Sequence, residues 1–88
     1  THVDTPETRN FRSRYYSDVT EADRRLGEVM DAADELLPKD STLLIYTSDH
    51  GAQWPFGKWN LYDEGIRVPF LIAWPGTIPA NARTSAMI

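Results

Sequence analysis

No cysteine occurs among the 88 residues, which excludes a disulfide framework, a thiolate zinc site and a cysteine nucleophile from this chain. Long apolar runs are missing too. The longest, Val68 to Trp74, is interrupted by Pro69 and falls far short of a membrane span. Basic residues are few and unclustered: 9 Lys and Arg face 13 Asp and Glu, for a net charge of -4, with the acids scattered through residues 4 to 40. Such a balance does not track a phosphate backbone, and nucleic acid is not an expected partner. Neither a repeat nor a low-complexity segment is present. The polar bias of disordered chains is absent, since 41% of residues are apolar and 11% aromatic. The opening Thr1-His2-Val3-Asp4 has no initiator Met, basic n-region or apolar h-region, so it is expected to belong to an excised segment. A chain of this size buries only about 60 to 65% of its unfolded surface, so its core is thin and it is expected to pack against something.

What is present begins with a helical period. Apolar residues recur at Phe11, Tyr15, Val19, Ala22, Leu26, Val29, Ala33 and Leu36 or Leu37, in steps of three and four that define one face of an amphipathic helix. Thr5-Pro6-Glu7 reads as an N-cap followed by Pro at the first helical position, and Pro38 ends the pattern, giving a helix from 6 or 11 to 37. After the polar turn Lys39-Asp40-Ser41, the run Thr42 to Thr47 reads as a strand buried on both faces. A Gly-containing loop starts at Ser48, and Arg67 to Trp74 reads as a second strand with Pro near its start, closed by Pro75-Gly76. Helix, buried strand, loop and second strand make this an α/β chain. Two strands and one helix cannot cover both faces of a parallel sheet, so further strands are expected elsewhere. The tail from Ile78 has turn-like composition.

The loop directly after a buried strand is the favoured place for a ligand site in an open α/β sheet, and Ser48-Asp49-His50-Gly51 lies there. Asp49 offers a hard carboxylate oxygen, His50 an imidazole nitrogen, and Gly51 a sharp backbone turn, a set suited to a divalent metal or an anionic oxygen. An Asp after a strand is as readily a local capping residue. Lys58 alone reads as a solvated loop lysine or as a cation for an anion. Arg67 reads as half of an ion pair with Asp63 or Glu64 rather than as a second site cation. Tyr15, Tyr16 and Asp23 read as helix packing and backbone bonding, His2 as an exposed end residue, and Trp74 as core. Trp54 and Trp59 are candidates to line a sugar site.

From Ser41 to Gly76 the sequence resembles the formylglycine-dependent type I sulfatases of the alkaline phosphatase superfamily: an apolar strand into Ser48-Asp49-His50-Gly51, then Gly57-Lys58 with Tyr62, then Gly65-Ile66-Arg67-Val68-Pro69. The N-terminal part resembles the same family through Asp4-Thr5-Pro6-Glu7, Tyr15-Tyr16, Asp23 and Gly27. The Asp-Thr-Pro-Glu opening and the Trp54-to-Asp63 segment look closest to heparan N-sulfatase-like members. The resemblance implies a partial alkaline-phosphatase-like mixed sheet flanked by helices, with residues 1–88 forming part of one catalytic domain whose N-terminal, nucleophile-bearing half is absent.

By the same resemblance Asp49 and His50 would be metal ligands and Lys58 would contact the sulfate and the covalent intermediate. Calcium is the family's usual metal. Most sulfatases carry Asn where His50 stands, and an imidazole suits manganese or another borderline metal better. The implied reaction is hydrolysis of sulfate esters or sulfamates of a sulfated small molecule or carbohydrate, by a formylglycine made from Cys or Ser in a Cys/Ser-x-Pro-x-Arg motif. Serines 13, 17, 41, 48 and 85 lack that context, so the formylglycine is expected upstream, the remainder of the catalytic domain is the implied partner, and the chain alone is expected to be inactive. The resemblance implies an exported, periplasmic or lysosomal parent. A phosphonate monoester or phosphodiester hydrolase of the same superfamily would share the Asp-His pair, and a non-catalytic homologue would keep the fold to bind a partner.

Overall fold

Thr5 sets the start of the first helix. Its hydroxyl accepts from the Thr8 amide at 3.2 Å while the Thr8 hydroxyl accepts from the Thr5 amide at 2.9 Å, a reciprocal box that satisfies two otherwise orphaned donors. Pro6 follows, where its missing N–H costs nothing. The helix, α1, spans Pro6–Leu36, about 46 Å at 1.5 Å per residue, so the earlier of the two sequence-based starts is the observed one. Leu37 leaves the helix at φ -117° and ψ 147°, the extended conformation that the following Pro38 imposes on its predecessor.

These features come from a computed structural model that describes residues 3–86. The reading of His2 lies outside the described residues. The chain divides into two compact units, Thr1–Leu37 and Pro38–Ile88.

The second unit opens with a single 3-10 turn, Lys39–Ser41, and continues into strand β1, Leu44–Thr47. A loop of 48–62 and a one-turn helix α2, Asp63–Ile66, lead to strand β2, Phe70–Ala73. Both strands are shorter than the runs the sequence suggests. They pair antiparallel with Leu44 opposite Ala73, Ile45 opposite Ile72, Tyr46 opposite Leu71 and Thr47 opposite Phe70. A parallel pairing would need a crossover that returns the chain to the starting edge; here the 22 intervening residues fold back beside the end of β1 and feed β2 in the reverse sense. The Trp74 indole N–H donates to the Asp40 carbonyl at 2.9 Å, tying the end of β2 to the turn before β1, so Trp74 is half-buried by an anchoring bond rather than by a core.

The expectation that the strands are buried on both faces is not met. Directly opposed residues share a face, so one face carries Leu44, Tyr46, Leu71 and Ala73 and the other Ile45, Thr47, Phe70 and Ile72, both apolar. Yet Ile45 is 56% and Leu71 60% exposed, and no buried hydrophobic residue is found among the described residues. Among the described residues both faces stay largely exposed, so the composition is that of a buried strand without the layers that would bury it. The two buried positions among the described residues are both glycines, Gly57 and Gly65, in the loop.

Candidate functional site

The loop after β1 is built by backbone hydrogen bonds. The Gly51 amide donates to the Gly65 carbonyl at 2.9 Å, bringing the second half of α2 onto the residue that follows His50. The Ala52 carbonyl accepts from both Trp54 and Lys58, at 2.8 and 2.9 Å, and the Gly57 carbonyl accepts from Asn60 at 3.0 Å. Lys58 is thus bonded through its main chain to a residue two places beyond His50. Asp49, His50 and Lys58 belong to one closed loop, as their sequence separation alone does not require.

Within it, His50 Nδ1 lies 2.7 Å from the Gly51 carbonyl. A carbonyl only accepts, so Nδ1 carries the proton, and in the neutral ring Nε2 holds the free lone pair. That Nε2 stands 3.5 Å from Asp49 Oδ2. Two ligands of one divalent ion, each about 2.1 to 2.4 Å from it, lie roughly 3 to 3.5 Å apart, so this donor pair fits a shared metal, with an imidazole oriented by a second bond as metal-binding histidines are. The Ser48 hydroxyl donates to the His50 carbonyl at 2.8 Å and steadies the turn. Asp49 is exposed and His50 half-buried. No group of three or more His, Cys, Asp or Glu that could hold a metal gathers among the described residues, so the donors found together here are this pair.

Lys58 is half-buried, and its ammonium lies 5.1 Å from the ring centroid of Trp59, whose side chain is 82% exposed. Trp59 and Phe56 have φ of 69° and 66°, left-handed values that cost a non-glycine residue about 1 kcal/mol or more and persist where surrounding bonds over-determine them. Phe56 meets Tyr62 edge to face at 4.9 Å. Trp54 is half-buried. Arg67 Nη1 is 3.5 Å from Asp63 Oδ2, the ion pair read from the sequence, in a shallow hollow shared with Thr47, Ile66 and Phe70. Tyr15 and Tyr16 meet edge to face at 6.0 Å in the other unit.

Three features escape a reading of the sequence. One is the double use of the Ala52 carbonyl, and another the left-handed pair Phe56 and Trp59; no residue type betrays either. The third is the role of Gly51. A sharp turn would call for positive φ, but among the described glycines only Gly76 has it. What Gly51 permits is close approach: a Cβ there would sit 1.7 Å from the Glu64 carbonyl oxygen. The spacing of glycines 51, 57 and 65 is visible in the sequence; their convergence is not.

The sulfatase family profile matches residues 1–88, and the chain belongs to the sulfatase family. It is 38% identical over 86 residues to arylsulfatase K of Bos taurus, covering 93% of this chain and 16% of that protein. It is 35% identical over 86 residues to arylsulfatase K of Homo sapiens, again covering 93% of this chain and 16% of the relative. An ulvan-active sulfatase of Formosa agariphila is 35% identical over 77 residues, 88% of this chain and 15% of that protein. The chain therefore spans about one sixth of the length of these curated relatives. No solved structure matches it significantly. The α/β architecture of a helix and a two-stranded antiparallel sheet accords with part of such a domain.

Proposed function

We propose that the whole enzyme containing this chain hydrolyses sulfate esters or sulfamates of a sulfated carbohydrate, with residues 1–88 contributing part of a single catalytic domain. Asp49 and His50 hold two positions on a divalent metal, and Lys58 binds the sulfate. The observation that carries this reading is the closed loop: Gly51 bonded to Gly65, and Lys58 bonded to Ala52, place a carboxylate, an oriented imidazole and an ammonium in one short segment of a sulfatase-family chain. Two of the relatives are named as arylsulfatase K and one as active on ulvan, in keeping with sulfated substrates.

Each residue has a defined part. Lys58, with the Trp59 ring beside its ammonium, presents a compact cation to the anionic sulfate and to the charge that develops there in the transition state. His50, with Nδ1–H fixed on the Gly51 carbonyl, turns Nε2 toward the metal as a ligand. Asp49 contributes the negative charge that draws a dication. A bound divalent metal supplies Lewis acidity toward a sulfate oxygen. The carboxylate suits calcium, and the imidazole admits manganese. The nucleophile, a formylglycine in this reading, comes from outside residues 1–88, which hold no Cys and no Ser in the required motif.

Sulfate release from a chromogenic aryl sulfate and from a glucosamine N-sulfate tests the proposal on the whole enzyme. Release that chelator and Asp49→Ala both abolish is the expected outcome, and the preferred substrate separates ester from sulfamate cleavage. No release from an enzyme whose formylglycine is confirmed by mass would overturn the sulfatase reading in favour of a phosphonate or phosphodiester hydrolase, which His50 would also suit.

A further inference from the structure

We propose that Gly65 is a positioning residue of this site: by lacking a side chain it lets α2 close on the loop and so sets Lys58 at a fixed span from the Asp49–His50 pair. The inference rests on the roles proposed above for those three residues. Gly65 is buried, and a Cβ on it would lie 2.2 Å from the Asn60 carbonyl oxygen and 2.5 Å from that of Gly57. Both are main-chain atoms, and they flank Lys58 on either side. No side chain can swing away to make room; the segment 57–60 itself has to shift. The same contact is closed from two other directions. The carbonyl of Gly65 holds the Gly51 amide next to His50, and a Cβ on Gly57 would lie 2.1 Å from the Ala52 carbonyl oxygen that receives the Lys58 amide. Three glycines thus allow three backbone segments, 51–52, 57–60 and 64–65, to touch directly, and the metal pair and the ammonium are attached to two of them.

A shift of about 1 Å in a substrate-binding group can cost on the order of 10²-fold in rate, so the lock acts on turnover through Lys58 without touching substrate. The test is a double-mutant cycle in the whole enzyme, reading kcat/KM on a chromogenic aryl sulfate, the metal concentration for half-activation and the melting temperature. Gly65→Ala is expected to lower kcat/KM by about 10²-fold with half-activation by metal unchanged, because Asp49 and His50 keep their local bonds. In the Lys58→Ala background the same change is expected to cost less than about threefold more, since the group it misplaces is already gone. A purely structural role would instead subtract its full effect in both backgrounds and track the melting temperature. Should Gly65→Ala fail to fold, a backbone ester at position 51, which deletes the bond to the Gly65 carbonyl and adds no side chain, takes its place, with the same expected loss of kcat/KM and the same shrinkage of that loss in the Lys58→Ala background. A crippled Lys58→Ala beside a Gly65→Ala or ester variant that is near normal, or whose loss is additive, overturns this inference alone. A near-normal Lys58→Ala overturns the sulfate-binding role of Lys58 and this inference with it.

Discussion

His50 donates through Nδ1 to the carbonyl of its own neighbour, so the ring is fixed by a main-chain acceptor while its other nitrogen stays free, a division of roles that an amide at position 50 could share. Replacing it by Asn keeps a ligand but exchanges a borderline nitrogen for a hard amide oxygen. We expect His50→Asn in the whole enzyme to lower the ratio of manganese-supported to calcium-supported sulfate release by about tenfold or more. An unchanged ratio would remove His50 from the metal. At this scale the sequence was legible where chemistry depends on residue type: a carboxylate, an imidazole and an ammonium near one loop can be picked out by inspection, and the family resemblance gave them roles. It was silent where the chemistry depends on bare backbone. The approach of Gly65 to Gly57 and Asn60, and the left-handed Phe56 and Trp59, arise from main-chain hydrogen bonds that no side chain announces.

Helix α1 shows how far periodicity and capping carry at the scale of an element. The Thr5 box, Pro6 and Pro38 set both ends within the span read from the sequence. Its exposed middle is laced by Glu21 and Glu28 with Arg24 and Arg25, pairs three and four residues apart. The Arg24 and Arg25 guanidiniums hold the Glu21 carboxyl below its ordinary value, as Arg9 does for Asp4. A carboxylate lowered by folding stabilises above its unfolded value and loses that contribution as pH falls through the folded one. In a peptide of residues 3–37, circular dichroism should therefore show more helix for the native sequence than for Glu21→Gln at neutral pH. The difference should shrink with salt, because the groups lie at the surface, and vanish on acidification. A gap that persists in acid would mean that the pairs do not carry it. The strands were less legible. Their residues announce burial, but direction and register are set by the loop and α2, and these are built from glycine contacts and a one-turn helix too short to leave a periodic signature.

The whole molecule is best understood from its two apolar sheet faces and the apolar stripe of α1, which the described residues leave exposed: Leu36 is 79% exposed, Val29 61%, Leu71 60% and Ile45 56%. Surfaces of this kind mark contacts with other protein, and the two metal ligands proposed above would leave most coordination positions to water. Three properties of the isolated 88-residue chain follow from the same deficit. It should bind an apolar dye and lack a sharp melting transition, because little buried area opposes chain entropy. It should take up calcium or manganese far more weakly than the whole enzyme, because ligand count and preorganisation set affinity. It should release no sulfate from an aryl sulfate, because in the proposed reading the nucleophile and the rest of the metal shell come from outside residues 1–88. Dye fluorescence, calorimetric metal titration and the release assay read these separately. A monomer that melts cooperatively and stays dark with the dye would show that the loop's backbone lock and the single β1–β2 pair suffice to fold the chain. Tight metal uptake by that monomer would mean that donors beyond Asp49 and His50 converge once the chain is free in solution.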